Sequence, residues 1–201
     1  MKYPQQRRSE HSASRMIDAA LKIAGKDGLH AVTVARVTVK ARTSNGALYH
    51  RFGSREDLLV AAQHRFLSDV EAEVARALAD AKKIPADLRA LRIAVETILD
   101  IFDRHEALVR AFMIEGRGEV ALERRGYAAS ALLGNAISLW LIERFGCSSR
   151  TADTVFRLLF AFGATRLILS NKYSLTSYRR SDSDIRNDLL DIILRVMHKP
   201  F

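Results

Sequence analysis

Apolar residues recur in this sequence at the three- and four-residue spacings of an α-helix, and this periodicity constrains the fold more than any other feature. Ile17, Ala20, Leu21 and Ala24 are the first example, because residues at these intervals share one helical face. Only ten glycines and three prolines interrupt 201 residues, which leaves few turns for a β-sandwich or barrel. We therefore expect an all-α protein of about nine helices.

Positive charge is concentrated near the N-terminus. The chain has 32 Lys and Arg against 23 Asp and Glu, a formal net charge of +9. Residues 1–60 hold eleven basic and five acidic side chains and so carry +6 of this charge, while the rest of the chain carries +3. The asymmetry predicts a basic module that meets a polyanion and a nearly neutral second module. We place the two domains at 1–54 and 55–201.

Capping residues divide the N-terminal module into short helices. A first helix is expected over about residues 9–26. Thr33 can cap a second helix, and Ser44 can cap a third over 45–52. Ser54 begins a capping box before a long fourth helix that ends near residue 81. Five further helices are expected: one from Pro85 to about Arg104, a short sixth, then about 120–144, about 150–170 and, after a loop over 171–183, a last one that includes 185–196.

Two short helices joined by a tight turn inside a basic three-helix unit are typical of a helix-turn-helix DNA reader. At 100° per residue, Leu48 and Phe52 point to the core. The opposite face presents Gly46, Ala47 and His50, with Asn45, Tyr49 and Arg51 on its flanks. Small residues at 46 and 47 allow close approach to base edges, and the longer side chains can reach phosphates.

Each of these residues also has a purely structural interpretation. Gly46 can relieve a close helix crossing, His50 can be an ordinary surface or half-buried histidine, and Tyr49 can cover apolar surface with its hydroxyl in water. The combination of residues, helix lengths and charge favours the DNA reader.

The residues from Thr33 to Leu59 resemble the N-terminal signature of TetR-type transcriptional regulators, through Leu48-Tyr49-His50-Arg51-Phe52 and Ser54-Arg55-Glu56-Asp57-Leu58. The resemblance covers about residues 10–62. It implies phosphate-contacting caps at Thr33 and Ser44, base-facing positions at Asn45, Ala47 and His50, and phosphate anchors at Tyr49 and Arg55. The complete set of expected DNA-binding residues is Thr33, Arg36, Arg42, Thr43, Ser44, Asn45, Gly46, Ala47, Tyr49, His50, Arg51 and Arg55.

Two residues depart from the family pattern. Arg42 stands where the turn usually has glycine, so either the turn is altered or Arg42 accepts a positive φ at a cost of about 1 kcal/mol. Arg36 replaces the usual acid and removes a capping-box partner of Thr33. Arg36 is interpreted as a phosphate contact or as a solvated arginine.

For the rest of the chain the resemblance implies a helical domain that binds a small-molecule effector and dimerises through its last two helices. The expected pocket residues are Phe102, Phe112, Met113, Asn135, Trp140, Phe160 and Arg166. Aromatic residues at helical spacing are more often core than pocket. Arg166 can bind an acidic effector, but a salt bridge within the dimer or an exposed helix edge is the favoured interpretation.

Helices eight and nine carry apolar stripes that predict a four-helix dimer interface, unless both stripes are buried within one subunit. A twofold pair of readers also matches a palindromic DNA site. We therefore expect a dimeric repressor that an unknown small-molecule effector releases from a palindromic operator. The alternatives are a regulator without an effector, whose second domain only dimerises, and an all-helical enzyme.

The sequence offers little for catalysis, cofactors or membranes. Cys147 is the single cysteine, which excludes an internal disulfide and a cysteine metal cluster and suits the cytoplasm. His105-Glu106 lacks the second histidine of a zinc-protease motif, and no glycine-rich phosphate loop occurs. The N-terminus shows no secretion signal, and the apolar stretch 155–169 is too short to span a membrane. We expect no catalytic residues, no metal and no cofactor.

Overall fold

A computed structural model describes residues 4–86, 88–169 and 181–198, and these residues form nine α-helices, without strands. The helices are α1 (Pro4–Asp27), α2 (Val34–Ala41), α3 (Asn45–Phe52), α4 (Arg55–Ala81), α5 (Leu88–Arg104), α6 (Glu106–Arg110), α7 (Val120–Phe145), α8 (Ser149–Leu169) and α9 (Asp182–His198). A 3₁₀ turn (Leu29–Ala31) follows α1, and a π-helical turn (Ala111–Glu115) follows α6. The predicted all-α class is confirmed. Residues 171–180 of the predicted loop lie outside the described residues.

The described chain divides into two compact units, and the boundaries fall within α4, α6 and α7. Of the described residues, the first unit contains 4–69 and 107–128, and the second contains 70–86, 88–106, 129–169 and 181–198. These units reflect packing and not function. The predicted division into a DNA-reading module over 1–54 and a second module over 55–201 therefore stays a prediction.

The core of the first unit forms where α1, α2 and α3 meet the start of α4. Its most deeply buried side chains are Met16, Val32, Val37, Leu48 and Leu58, each at most 1% exposed. Met16, Val37, Leu48 and Leu58 come one each from α1, α2, α3 and α4. Small buried residues beside them, such as Ala20 and Ala41, allow these helices to pack closely. This core fixes the position of α3, which has a single fully buried side chain, Leu48.

Residues 107–128 belong to the first unit through three kinds of contact. The ring of Phe112 stacks on that of Phe66, with 6.0 Å between the ring centres. The buried Gln63 amide donates to the carbonyl oxygen of Leu122 at 2.9 Å. The Glu115 carboxylate accepts a hydrogen bond from the backbone N–H of Leu29 at 2.6 Å. Residues far along the chain therefore pack against α4 and bind the 3₁₀ turn that precedes α2.

In the second unit, α5, α8 and α9 pack against one another. Leu91, Leu99, Leu159, Leu190 and Ile193 are among its most buried side chains, each at most 2% exposed. Two α9 residues of the predicted stripe, Leu189 and Ile193, are buried within this chain, whereas Ile192 is 48% exposed. The apolar stripe of α9 is therefore only partly buried within one subunit.

Candidate nucleic-acid interface

Helices α2 and α3 begin at the hydroxyl caps expected from the sequence. Thr33 Oγ1 accepts a hydrogen bond from the Arg36 N–H at 3.3 Å, and Ser44 Oγ accepts one from the Ala47 N–H at 3.1 Å. Both cap residues have extended backbone, as N-caps require. Ser54 Oγ similarly accepts a hydrogen bond from the Asp57 N–H at 3.0 Å, which confirms Ser54 as the cap of α4, and its hydroxyl donates to the Asp57 carboxylate at 2.6 Å.

The turn between α2 and α3 is built around Arg42 in the left-handed conformation, with φ 51° and ψ 57°. The Thr43 N–H donates to the Thr38 carbonyl at 2.9 Å and the Arg42 N–H to the Val39 carbonyl at 3.2 Å, which is the hydrogen-bond pattern of a Schellman motif. Of the two possibilities that the sequence left open, the turn is retained and Arg42 adopts a positive φ. The cost of this conformation is about 1 kcal/mol.

The exposed face of α3 carries most of the predicted base-reading residues. Asn45, Gly46 and His50 are exposed, Tyr49 is 51% exposed and Ala47 is half-buried. A Cβ atom built on Gly46 would have no neighbour closer than Ser44 Oγ at 4.0 Å, so this glycine relieves no close helix crossing. Leu48 is fully buried and Phe52 half-buried on the opposite face. Leu48 therefore anchors α3 in the core, while the polar residues on the opposite face stay exposed.

Two of the predicted basic contacts are already engaged within the protein. Arg55 Nε donates to the Val32 carbonyl at 2.6 Å and Nη2 to the Leu29 carbonyl at 3.2 Å, so its guanidinium holds the loop before α2. Arg36 forms an ion pair with Asp27 across α1 and α2. Arg42 and Arg51 are exposed, and Thr43 is half-buried. The DNA-binding roles of all these residues stay predictions.

The structure adds polar and basic residues that the sequence interpretation missed. Thr38, 4% exposed, places its hydroxyl 2.8 Å from Asn45 Oδ1. A surface groove of about 520 Å³ lies between α1 and α2, with Lys22, Lys26, Arg36 and Lys40 among its lining residues. Thr38 could have been identified from the sequence, because it is a polar residue on the buried face of α2 between Val37 and Ala41. No sequence pattern indicated the groove.

The predicted pocket residues separate between the two compact units. Phe112 and Met113 belong to the first unit, where Phe112 is buried and Met113 is 42% exposed. In the second unit Phe102 packs edge-on against Phe160, with 5.9 Å between the ring centres. Asn135 is exposed. The assignment of these residues to an effector pocket stays a prediction.

Trp140 is 2% exposed, and its ring packs against that of Phe145 at 5.5 Å. Its indole Nε1 is buried without a hydrogen-bond partner among the described residues. Buried N–H donors nearly always have an acceptor. The Trp140 N–H is an exception to this rule among the described residues.

Arg166 forms ion pairs within its own unit, with Asp103 at 3.3 Å and with Asp182 at 2.6 Å. Arg186 contacts the same two carboxylates, so two arginines with 16% exposed side chains share Asp103 and Asp182, and Arg186 also pairs with Asp100. Burial acts to lower the pKa of Arg186, but hydrogen bonds and charge from Asp182 and Asp100 outweigh it and raise the pKa. Arg166 is thus part of an ionic cluster that joins α5, α8 and α9.

The described residues show little that suggests metal or nucleophile chemistry. They contain no group of three His, Cys, Asp or Glu side chains placed to hold a metal ion. Burial raises the pKa of the Cys147 thiol, which disfavours the nucleophilic thiolate. Within the described ranges, no helix is long and apolar enough to cross a membrane.

Comparison with known proteins gives results for both the N-terminal region and the whole chain. Residues 16–62 match the model of a family described as bacterial regulatory proteins, tetR family. The HTH-type transcriptional regulator BetI of Paraburkholderia phymatum is 25% identical over 184 residues, which cover 90% of this chain and 92% of that protein.

Two solved structures share the fold over nearly the whole chain. A protein from Mesorhizobium loti superimposes with a TM-score of 0.77 and 16% identity, covering 94% of this chain and 98% of its own. The regulator FadR from Bacillus subtilis, solved in complex with stearoyl-CoA, superimposes with a TM-score of 0.66 and 18% identity, covering 92% and 99%.

Proposed function

Because this chain belongs to the TetR family of transcriptional regulators, we propose that it is a dimeric repressor that binds a palindromic operator and is released by a small-molecule effector. The observation that carries the proposal is the exposed face of α3, where Asn45, Tyr49 and His50 surround Gly46 above the buried Leu48. Such a face fits the major groove, where sequence can be read from base edges. As a regulator of chromosomal DNA, the protein would act in the cytoplasm.

The proposed contacts divide into two groups. Asn45, Ala47 and His50 face bases, where hydrogen bonds and apolar contacts select sequence. Phosphate contacts come from the two capped helix N-termini and from flanking side chains, because unpaired N–H groups and cations bind phosphate. The residues of this second group are Thr33, Arg36, Arg42, Thr43, Ser44, Tyr49, Arg51 and Arg55.

Dimerisation is proposed through α8 and α9. Ile192 leaves an exposed apolar side chain on α9, and Ala161 is exposed on α8. A pair of such helices from each subunit would form a four-helix interface. Twofold pairing also supplies the second recognition helix, since one helix of eight residues reads only a few base pairs.

Effector binding is proposed for the helical domain over residues 55–201. The unpaired Trp140 indole N–H supports this, because a bound molecule with an oxygen acceptor would satisfy it. The stearoyl-CoA complex of FadR shows that a protein of this fold binds a small molecule. To release DNA, the effector must bind the DNA-incompetent conformation more tightly, typically by about 1–3 kcal/mol.

Selection of genomic fragments with the purified protein tests the DNA-binding proposal, and the recovered fragments should share a palindrome. Tyr49→Ala should weaken binding to that palindrome about tenfold at moderate salt, the loss of about 1.4 kcal/mol expected for a lost phosphate contact. Tyr127→Ala is the matched control, because Tyr127 is a 76% exposed tyrosine on α7. Equal affinities of wild type and Tyr49→Ala would refute the placement of α3 on DNA.

The effector proposal has its own readout, since Trp140 is the single tryptophan of the chain. Compounds that change its fluorescence should also release the selected palindrome. A palindrome-binding dimer whose fluorescence and DNA affinity respond to none of the compounds supports the alternative of a regulator without an effector. Release should restore transcription from a promoter that overlaps the palindrome, and a fall in transcription would instead identify an activator.

A further inference from the structure

Thr38 of α2 connects the turn to the first residue of the recognition helix. Its carbonyl oxygen accepts the Thr43 N–H at 2.9 Å, which fixes the turn, and its hydroxyl lies 2.8 Å from Asn45 Oδ1. The side chain is 4% exposed, so the hydroxyl is shielded from water. One buried residue therefore contacts both the backbone of the turn and a candidate reading side chain.

The hydroxyl has one hydrogen and three acceptors within reach. Asn45 Oδ1 is the nearest at 2.8 Å, while the carbonyl oxygens of Val34 and Ala35 lie at 3.0 and 3.2 Å. The Asn45 amide has its oxygen toward α2, and this shortest of the three contacts is the one to which the hydroxyl donates. Asn45 itself is exposed, and its Nδ2 group with two N–H donors is left for DNA.

This orientation changes what Asn45 can recognise. A free asparagine amide pairs with adenine by donating to N7 and accepting from the N6 amino group, whereas guanine offers only acceptors, N7 and O6, at the same edge. An amide whose oxygen is held by the protein presents donors only. We propose that Thr38 is a positioning residue that makes Asn45 select guanine over adenine. This inference rests on the proposed function, because it requires α3 to lie in the major groove.

The test begins with the palindrome selected by the wild-type protein. Asn45→Ala identifies the base pair that Asn45 contacts, since the preference at that pair should fall to below about twofold. The affinities of wild type, Thr38→Val and Thr38→Ser are then measured for duplexes carrying each of the four bases at that pair, at one salt concentration. Thr38→Val removes the hydroxyl and keeps the branched shape, while Thr38→Ser keeps the hydroxyl.

Wild type and Thr38→Ser should prefer guanine over adenine by about tenfold, a factor in the range expected for a good base contact. Thr38→Val should lose this preference or reverse it toward adenine, with affinity for a scrambled duplex unchanged within about twofold. A merely structural role for Thr38 would lower affinity for all duplexes alike. If Thr38→Val does not fold, Thr38→Ala removes the same hydroxyl with a better helix former.

An unchanged guanine preference in the folded Thr38→Val or Thr38→Ala protein would overturn the inference. A wild-type preference for adenine at the Asn45-dependent pair would overturn it as well, because the amide oxygen would then face the base. If Asn45→Ala alters no base pair, the inference fails while a selected palindrome still supports the proposed function. If the wild type selects no palindrome, the proposed function itself fails.

Discussion

The backbone N–H of Leu29 donates to the carboxylate of Glu115 at 2.6 Å, between residues 86 positions apart in the sequence. Leu29 begins the 3₁₀ turn that leads into α2, and Glu115 ends the π-helical turn after α6. The preceding Gly28 has φ 85°, and a Cβ atom there would lie 2.8 Å from the same carboxylate. The turn that orients α2 is therefore held by a side chain outside the three-helix reader.

Glu115→Ala should loosen this turn, because the Leu29 N–H would lose a charged acceptor. Such hydrogen bonds contribute about 1.5–3 kcal/mol. Amide hydrogen exchange at residues 28–33 should accelerate by at least tenfold, and operator affinity should fall. Glu119→Ala is the control, since Glu119 is an exposed glutamate close by in the sequence. Equal exchange rates in the Glu115→Ala and Glu119→Ala proteins would show that the contact does not stabilise the turn.

Arg42→Gly should stabilise the folded protein and weaken its binding to DNA. Glycine adopts the observed φ of 51° without steric cost, which favours the folded state by about 0.5–1 kcal/mol. Loss of one phosphate-facing cation should reduce the slope of log affinity against log salt by about 1. Denaturant unfolding and a salt titration of operator binding measure the two effects.

Arg51→Ala serves as the comparison for Arg42→Gly. It removes an exposed cation from α3 without relieving a positive φ, so it should lower the salt slope and leave the free energy of unfolding within about 0.5 kcal/mol. A destabilised Arg42→Gly protein would contradict the left-handed turn.

The helices and their caps could be predicted because local interactions determine them. Thr33, Ser44 and Ser54 each accept a backbone N–H within three residues, and Leu48 is fully buried as its helical phase required. The contacts of Glu115 with Leu29 and of Gln63 with Leu122 join distant parts of the chain, so no local spacing indicates them.

For the candidate site too, the sequence predicted local features and missed contacts between distant residues. The exposure of Asn45 and His50 follows from helical phase. The internal contacts of Arg55 do not, because the carbonyls that it binds belong to a loop 23 and 26 residues earlier. Sequence therefore identified which side chains could face DNA and missed which of them also hold the reader together.

Ile192→Asp should convert the proposed dimer to a monomer at micromolar concentration. A charge on an apolar interface of α9 would be desolvated without a partner, at a cost large enough to separate the subunits. Sedimentation measures the change, and operator affinity should fall because one reader contacts only a half-site. Leu88→Asp provides the control on α5, where Leu88 is 52% exposed. A dimeric Ile192→Asp protein would place the interface elsewhere.

Asp103→Asn should destabilise the second unit, because this carboxylate lies between Arg166 and Arg186. The arginine side chains are 16% exposed and that of Asp103 is 38% exposed, so solvent screening reduces the effect to about 1 kcal/mol. Asp153→Asn is the control, since Asp153 pairs with Arg157 on the surface, where such a pair contributes little. Thermal unfolding in low and high salt should show a larger, salt-sensitive change for Asp103→Asn alone.

Substitutions of Arg55 separate a phosphate anchor from a structural arginine. Arg55→Lys keeps the positive charge but cannot donate in fork geometry to both the Leu29 and Val32 carbonyls. If the hydrogen bonds dominate, Arg55→Lys and Arg55→Ala should both lower the free energy of unfolding, by about 1–3 kcal/mol, and both should weaken operator binding. If phosphate contact dominates, Arg55→Lys should retain most of the operator affinity. Because the Arg55 side chain is only 29% exposed and its guanidinium donates to two carbonyls, we expect the first result. Near-wild-type stability of both variants would show that the loop before α2 does not depend on Arg55.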